Sequence, residues 1–208
     1  MQRLYFVRHG QTELNAADHV QGGDIDSPLL EQSKEDAIKT GKYLSDKAIS
    51  HIISSPQLRA LHTARLIRSQ FKQAIPLEED SLLKEFGYGK WEGLYIPDLA
   101  EKYQEIFYHL RNEPHLYDPS SFEGETYTSL ITRGTKSILH HAKKYPDSDL
   151  LFVGHSITLT STVLSLAGYD LKDIRSQTPM ANTSITRLIR DGDTFSLDSW
   201  NYIDHLNE

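Results

Sequence analysis

The chain has 208 residues, a hydrophobic fraction of 38% and a formal net charge of −7. This length suits one α/β domain, and the negative charge argues against a general nucleic-acid binder. The absence of cysteine excludes a disulfide framework, a thiol nucleophile and a thiolate metal site.

Short apolar runs alternate with amphipathic segments along the whole chain. Apolar residues at spacings of three and four predict helices, whereas short apolar runs bounded by glycine, proline or polar residues predict strands. In chain order we predict strand 3–7, helix 31–45, strand 50–54, a helix from Leu58 to Phe71, strand 75–77, a loop over 81–93, a helix from Pro97 toward Leu110, a polar connection over 111–126, a helix from Leu130 that ends before Pro146, strand 150–153, helix 157–167 and a hairpin of strands 184–190 and 194–200. The alternation predicts a three-layer α/β/α sandwich with a mostly parallel central sheet, formed by a single domain over 1–208.

Polar residues follow three of the predicted strands. Arg8 and His9 follow the first strand, residues 55–59 follow the second, and His155 follows the strand over 150–153. Because ligands of parallel sheets bind beyond the carboxyl ends of the strands, these segments are expected to converge on one cleft. An imidazole beside a guanidinium suits phosphoryl transfer, in which a neutral histidine attacks phosphorus and arginine holds the negative charge. Taken alone, this pair is equally explained as ordinary polar residues at a strand end.

Five blocks of the sequence resemble the histidine phosphatase superfamily, the phosphoglycerate-mutase-like proteins, and occur in that family's order. They are RHGQTELN at 8–15, SSPQLRA at 54–60, LKEFG at 83–87, FEGET at 122–126 and FVGHS at 152–156. The resemblance extends from residue 3 to about residue 190 and is strongest to the broad-specificity phosphatase branch. It implies a phosphoglycerate-mutase-like fold with a specificity or lid insertion around 81–126.

The resemblance also implies a role for each candidate residue. His9 is the nucleophile that forms a phosphohistidine, and the neighbouring cations favour its neutral form. Arg8, Arg59 and His155 hold the equatorial phosphoryl oxygens, where charge builds up during transfer. Glu85 protonates the leaving alcohol and then serves as base for the incoming water. The expected phosphate or substrate contacts are Asn15, Gln21, Gly22 and Ser156.

The sequence departs from the commonest family pattern at two places. Gln11 stands where many members have Glu, and Gly154-His155-Ser156 stands where many have His followed directly by Gly. Neither change removes a proposed catalytic group. Both bear on the hydrogen bonds around the site and therefore on substrate preference.

The predicted function is that of a phosphomonoester hydrolase, with a cofactor-dependent phosphoglycerate mutase as the alternative. Mutases of the family tend to have a longer middle insertion and a longer tail than the eight residues that follow Trp200 here. A non-catalytic phosphate-binding module, the alternative from another class, is expected to have lost His9 or Glu85. Both residues are present.

The expected partner is a small phosphorylated metabolite, with no nucleic acid and no membrane, and the chain is expected to be a monomer or a homodimer. We expect no cofactor and no metal site, because a phosphohistidine mechanism needs no metal and pairs such as His140-His141 form no recognisable set of ligands. No stretch approaches the roughly 18 apolar residues of a membrane span. The first residues carry no signal-peptide pattern, so a cytoplasmic location is expected.

Overall fold

Six strands and seven α-helices lie within residues 1–207, the part of the chain described by this computed structural model. The strands are β1 Gln2–Arg8, β2 Ile49–Ser54, β3 Leu77–Glu79, β4 Asp149–Gly154, β5 Ile185–Asp191 and β6 Thr194–Tyr202. The helices are α1 Glu13–Ala16, α2 Glu31–Leu44, α3 Leu58–Arg68, α4 Ile96–Lys102, α5 Gln104–Asn112, α6 Tyr127–Lys144 and α7 Ser156–Leu166. This alternation of strands and helices matches the α/β class predicted from the sequence.

The strands form one sheet in the order β3-β2-β4-β1-β5-β6. Strands β1 to β4 pair in parallel, whereas β5 is antiparallel to both β1 and β6. The predicted mostly parallel sheet is therefore confirmed, and the predicted C-terminal hairpin closes one edge of it. Each parallel connection passes through a helix, which is how a parallel sheet is usually linked.

Both faces of the sheet are buried, which explains the unbroken apolar runs in its central strands. On one face, Leu4 and Phe6 pack with Ile138 of α6 and Leu159 of α7. On the other face the alternating side chains of β1 pack with residues of α2 and α3. The two apolar clusters give the predicted three layers, with the sheet in the middle.

The strand register brings three strand ends to one edge of the sheet. Arg8 pairs with Gly154 between β1 and β4, and Ser54 pairs with Val153 between β2 and β4. The residue after each strand therefore emerges at nearly the same level. His155 follows β4 directly, so the register alone places it beside the residue that follows Arg8.

The segment over 81–126 forms a third apolar cluster outside the sheet. Its aromatic centre contains Trp91, which stacks on Phe122 with ring centroids 3.8 Å apart. Phe86 and Leu110 belong to the same cluster. The loop predicted over 81–93 contains two short 3₁₀ turns, and the connection over 111–126 contains a third. These turns give the segment a packed structure of its own.

Two predicted elements are placed incorrectly by the sequence. The third strand lies two residues later than predicted, because Ile52 pairs with Leu77 while the carbonyl of Ile75 accepts a hydrogen bond from Arg68 Nε at 2.6 Å. The helix predicted from Pro97 toward Leu110 is two helices. Tyr103 leaves the helical region with φ −122° and ψ 48°, and its ring packs against Trp91. None of the helices within residues 1–207 has the length and apolar character needed to cross a bilayer.

Candidate active site

A cavity of about 500 Å³ opens at the edge where β1, β2 and β4 end. It is lined by six of the nine residues predicted for the site: Arg8, His9, Asn15, Gln21, Glu85 and Ser156. The other three, Gly22, Arg59 and His155, lie outside this lining. The sheet edge therefore gathers most of the predicted site around one space.

His9 is buried and held in one orientation directly after β1. Its backbone N–H donates to the carbonyl of Gly154 at 2.9 Å, and its ring Nδ1 lies 2.7 Å from the carbonyl of Gly10. A carbonyl can only accept, so Nδ1 carries the proton and Nε2 keeps a free lone pair. Burial lowers the pKa of His9 well below its ordinary value, and the charges of Arg8 and Arg59 lower it further. The side chain is therefore a neutral imidazole with a free nucleophilic nitrogen.

Glycine at position 10 lets helix α2 approach the end of β1. A Cβ there would lie 2.9 Å from the Cβ of Ser33 and 3.2 Å from its carbonyl oxygen. The backbone N–H of Gly10 donates to Thr63 Oγ1 at 3.0 Å. The turn after His9 is thus fixed from α2 and from α3.

His155 is the N-cap residue of α7 and is completely buried. Its ring centroid lies 5.1 Å from that of His9, and its Nε2 is hydrogen-bonded to Ser55 Oγ at 2.8 Å. Its Nδ1 is buried and has no hydrogen-bond partner within residues 1–207. Burial lowers the pKa of His155 well below its ordinary value, with a further contribution from the charge of Arg59. His155 is therefore a second neutral imidazole beside the first.

Arg8 reaches the cavity from the last position of β1. Its Nη1 donates to the carbonyl of Met180 at 2.7 Å, while its Nε is buried without a partner in the described chain. This anchoring leaves guanidinium N–H groups available on a side chain that lines the cavity. The arrangement suits an arginine that binds an anion from a fixed position.

Arg59 is fully buried, and its guanidinium is engaged mainly by the backbone of the segment 22–26. It donates to the carbonyls of Gly22 and Ile25, both at 2.9 Å, and forms an ion pair of 3.1 Å with Asp26. Gln57 donates to the same Gly22 carbonyl at 2.8 Å. In this structure Arg59 and Gly22 hold each other, and Arg59 acts on the two histidines through its charge.

Glu85 is buried at the cavity wall, with its carboxylate at the N-terminus of α7. Oε1 accepts from the backbone N–H of Phe86 at 2.8 Å and from the N–H and hydroxyl of Thr158 at 3.0 and 2.9 Å. Oε2 accepts from the N–H of Ile157 at 3.3 Å. The Glu85 backbone N–H donates to Gln57 Oε1 at 2.7 Å. These contacts hold the carboxyl group in one orientation at the cavity wall.

Asn15 and Gln21 line the cavity and are oriented by Thr12. The Thr12 hydroxyl donates to Gln21 Oε1 at 2.7 Å, and its backbone N–H donates to Asn15 Oδ1 at 3.3 Å. Thr12 also caps α1, so the short helix and the two amides form one unit. Ser156 lines the cavity as the first residue of α7.

The structure adds residues that the sequence analysis missed. Ser55 and Gln57 lie within the SSPQLRA block, so that block contained a signal for them. Arg133 donates to the carbonyl of Glu85 at 3.1 Å and forms an ion pair with Glu125. Three further cavity residues, His19, Arg111 and Arg175, had no recognised motif around them. Within residues 1–207, no group of three or more His, Asp or Glu side chains is arranged to hold a metal ion.

Comparison with known proteins relates the chain to phosphatases and to a mutase. "Putative phosphoserine phosphatase 2" of Hydrogenobacter thermophilus is 28% identical over 209 aligned residues, covering 100% of this chain and 99% of that protein. "Probable phosphoglycerate mutase GpmB" of Shigella boydii is 32% identical, covering 90% and 85%. The solved structure "Bacillus stearothermophilus YhfR" is 30% identical with a TM-score of 0.91, covering 99% and 100%. Residues 4–203 match the family model described as "Histidine phosphatase superfamily (branch 1)". The chain belongs to the histidine phosphatase superfamily.

Proposed function

We propose that the chain hydrolyses phosphomonoesters through a phosphohistidine on His9. The observation that carries the proposal is the neutral His9 imidazole, whose Nδ1 is bonded to a carbonyl and whose Nε2 is free. Nε2 attacks phosphorus, and the bond between phosphorus and the leaving oxygen breaks. The Glu85 carboxyl gives its proton to that oxygen, so a neutral alcohol departs.

Water completes the cycle. The Glu85 carboxylate takes a proton from water, and the resulting hydroxide oxygen attacks phosphorus. The phosphorus–nitrogen bond breaks, which releases phosphate and restores neutral His9 with Glu85 protonated. The His9 nitrogen is thus the nucleophile of the first step and the leaving group of the second, Glu85 carries the proton in both, and both residues line the same cavity.

Two buried groups are proposed to hold the phosphoryl oxygens. Arg8 Nε, which can only donate, and His155 Nδ1, which donates when it carries the ring proton, are both buried without a partner in the described chain. A bound phosphoryl group would satisfy them, which supports a direct contact. For Arg59 we propose a supporting role through its charge and through the segment 22–26. Asn15, Gln21 and Ser156 are proposed as polar contacts of the substrate.

We also propose the domain organisation, the substrate class and the location of the protein. Residues 1–208 form a single catalytic domain, and the insertion over 81–126 sets specificity, since α5 and the 3₁₀ turn that ends at Trp91 contribute to the cavity wall. The substrate is a small phosphorylated metabolite, and the reaction uses no metal or organic cofactor. A cytoplasmic location and a monomeric or homodimeric state are proposed from the sequence.

A phosphoglycerate mutase remains the second candidate, since the Shigella boydii relative carries that name. The two candidates are separated by the fate of the phosphoryl group. A mutase returns it to a bound acceptor, whereas a phosphatase passes it to water. Relatives named as phosphatases that align over the full chain support hydrolysis.

The test is a panel of phosphate esters, including 4-nitrophenyl phosphate and 3-phosphoglycerate with and without 2,3-bisphosphoglycerate. Free phosphate and isomerised product are both measured, with and without EDTA. Wild-type protein is expected to release phosphate in either case, and His9→Ala is expected to lose at least about a thousandfold in kcat/KM. The surface variant His62→Ala is the matched control and keeps wild-type rates. Isomerisation without phosphate release would show the mutase instead, and normal turnover by His9→Ala would refute the mechanism.

A further inference from the structure

Two arginines line the cavity without any partner that explains them. Arg111 lies in the last turn of α5, and Arg175 lies in the segment between α7 and β5. Neither side chain forms an ion pair or a hydrogen bond with residues 1–207. The chain has 29 acidic and 22 basic residues, so carboxylates are plentiful. Two unpaired arginines in one cavity of such a chain point to an anionic ligand.

The charges along the cavity wall are unbalanced. Arg8, Arg111 and Arg175 contribute three positive charges, while Glu85 is the lining's sole carboxylic acid. Arg8 is the arginine next to the nucleophile and is assigned to the phosphoryl group. The proposed hydrolysis therefore leaves the charges of Arg111 and Arg175 unused.

The guanidinium group of Arg111 is positioned by an aromatic residue of the insertion. The guanidinium carbon of Arg111 lies 4.6 Å from the ring centroid of Phe107, an arrangement that leaves the N–H groups at its rim free to donate. Burial raises the pKa of Tyr88 well above its ordinary value, and the nearby charge of Arg175 opposes this rise. Trp91 and Phe107 also line the cavity beside these arginines, of which Arg175 is half-buried and Arg111 is exposed. Both side chains can therefore donate charge-assisted hydrogen bonds to an oxyanion that enters the cavity.

We propose that Arg111 and Arg175 bind a second oxyanion of the substrate, carried by the leaving alcohol. The inference rests on the proposed function, since it names the class of phosphomonoester that the site selects. Arginine forks match both carboxylate and phosphate oxygens, so the alcohol carries one of these groups. The preferred substrate is therefore a small organic phosphate with a further carboxylate or phosphate, and the phosphoryl group at His9 is the one that leaves.

Matched pairs of esters test this inference and separate the two sources of charge. O-phospho-L-serine and O-phosphoethanolamine differ only by a carboxylate, as glucose 1,6-bisphosphate and glucose 6-phosphate differ by a phosphate. We measure kcat/KM for each member with wild-type protein, Arg111→Gln, Arg175→Gln and the control Arg65→Gln. Arg65 is an exposed residue of α3 outside the cavity, so its substitution removes the same charge elsewhere.

In one pair, the ester with the second anionic group is expected to have a kcat/KM about tenfold to a hundredfold higher than its partner with wild-type protein, as charge-assisted hydrogen bonds allow. Arg111→Gln and Arg175→Gln are expected to reduce that ratio by about tenfold each, whereas Arg65→Gln keeps it. The pair that responds identifies carboxylate or phosphate as the recognised group. Equal kcat/KM within both pairs, or an unchanged ratio in both cavity variants, would overturn the inference.

A binding measurement separates failure of this inference from failure of the proposed hydrolysis. Calorimetric titration of His9→Ala with the same pairs compares their affinities without turnover. Tighter binding of the ester with the second anionic group supports the second oxyanion site if Arg111→Gln weakens that preference. This holds even if no ester releases phosphate. If phosphate is released but neither kcat/KM nor affinity differs within the pairs, the second oxyanion site is refuted and the proposed hydrolysis is retained.

Discussion

The protonation state of the His9 ring is set by a hydrogen bond, by burial and by the charges of two arginines. The Gly10 carbonyl accepts a hydrogen bond from Nδ1–H, burial removes water, and two arginines disfavour a positive charge. Burial and the arginine charges favour the neutral imidazole, whereas the hydrogen bond to Gly10 opposes them by raising the pKa but selects the tautomer. The result is a nucleophile that needs no separate base to deprotonate it.

This arrangement predicts how His9 titrates. An ordinary histidine is half protonated near pH 6.5. Because burial and the charges of Arg8 and Arg59 lower the pKa of His9, its ring is expected to stay neutral at pH 6.5 and to protonate only at lower pH. NMR of ¹⁵N-labelled histidine rings, titrated from pH 8 to 5, would show a protonated Nδ1 and an unprotonated Nε2 at the start. A His9 ring that is half charged at pH 6.5 or above would contradict the interpretation.

The positions of the proposed catalytic residues were easier to predict than the partners of the residues around them. His9 and His155 follow buried strands, and the register of β1 and β4 brings such positions together whatever the surrounding loops do. The partners of Arg59 were hidden, because its guanidinium binds backbone carbonyls that no side-chain pattern marks. Arg111 was hidden for a different reason. It reaches the cavity through the packing of the insertion, and packing of that kind leaves no periodic signal in the sequence.

Helix α6 supports the segment that carries Glu85. Arg133 Nη1 donates to the carbonyls of Leu82 and Lys84 at 2.7 Å, and its Nη2 donates to the Glu85 carbonyl at 3.1 Å. The rest of its fork holds the carboxylate of Glu125, with Nε to Oε1 at 2.7 Å and Nη2 to Oε2 at 2.8 Å. One arginine thus ties the proposed acid to the core helix, a contact that lysine cannot reproduce because it lacks the planar fork.

We expect Arg133→Gln to act on the proton-transfer step. Loss of the fork frees the backbone at Glu85, and a displacement of about 1 Å at a catalytic group can cost about a hundredfold in rate. A poor leaving group such as an alkyl alcohol needs the proton more than 4-nitrophenol does. Arg133→Gln and Glu85→Gln should therefore both reduce kcat/KM more for an alkyl phosphate than for 4-nitrophenyl phosphate.

The controls separate this effect from a general loss of structure. Lys136→Gln removes a positive charge from an exposed position of the same helix and should leave both rates unchanged. Arg133→Lys restores the charge without the fork and should recover little activity. Circular dichroism and the urea midpoint of each variant confirm that it is folded. Equal losses for the two esters would refute a role of Arg133 in positioning the acid.

The elements that the sequence misplaced lie at the edge of the sheet or outside it. Strands β1 and β4 are buried on both faces, so their apolar runs identify them unambiguously. Strand β3 lies at the edge of the sheet and has three residues, so pairing with β2 decides its position more than composition does. Tyr103 divides the predicted helix of the insertion where its ring meets Trp91. The sequence alone therefore locates strands that are buried on both faces. The position of an edge strand and the division of a helix depend on contacts between distant segments.

Two neutral histidines, His9 and His155, are buried at the edge of the sheet where β1 and β4 end, and they affect the stability of the whole protein. Burial is the main cause that lowers the pKa of His9 and of His155, so the folded state resists protonation that the unfolded state accepts. Below pH 6.5 the unfolded chain therefore binds more protons than the folded one. By linkage, the free energy of unfolding falls as the pH falls. The stabilisation that the two neutral histidines contribute is fully present only above pH 6.5. The carboxyl groups of Glu78 and Asp80, whose pKa values are also lowered, lose their contributions at still lower pH.

We therefore expect the free energy of unfolding to decrease between pH 7.5 and pH 5.0, by up to about 2 kcal/mol for each of the two histidines. Urea unfolding at both pH values measures the decrease. His155→Asn removes one of the two linked groups, so it should make stability less dependent on pH even though it lowers stability at pH 7.5. The exposed His62→Asn should leave the dependence as it is. A His155→Asn protein that loses as much stability as wild type over this range would show that the buried imidazole is not the source of the acid sensitivity.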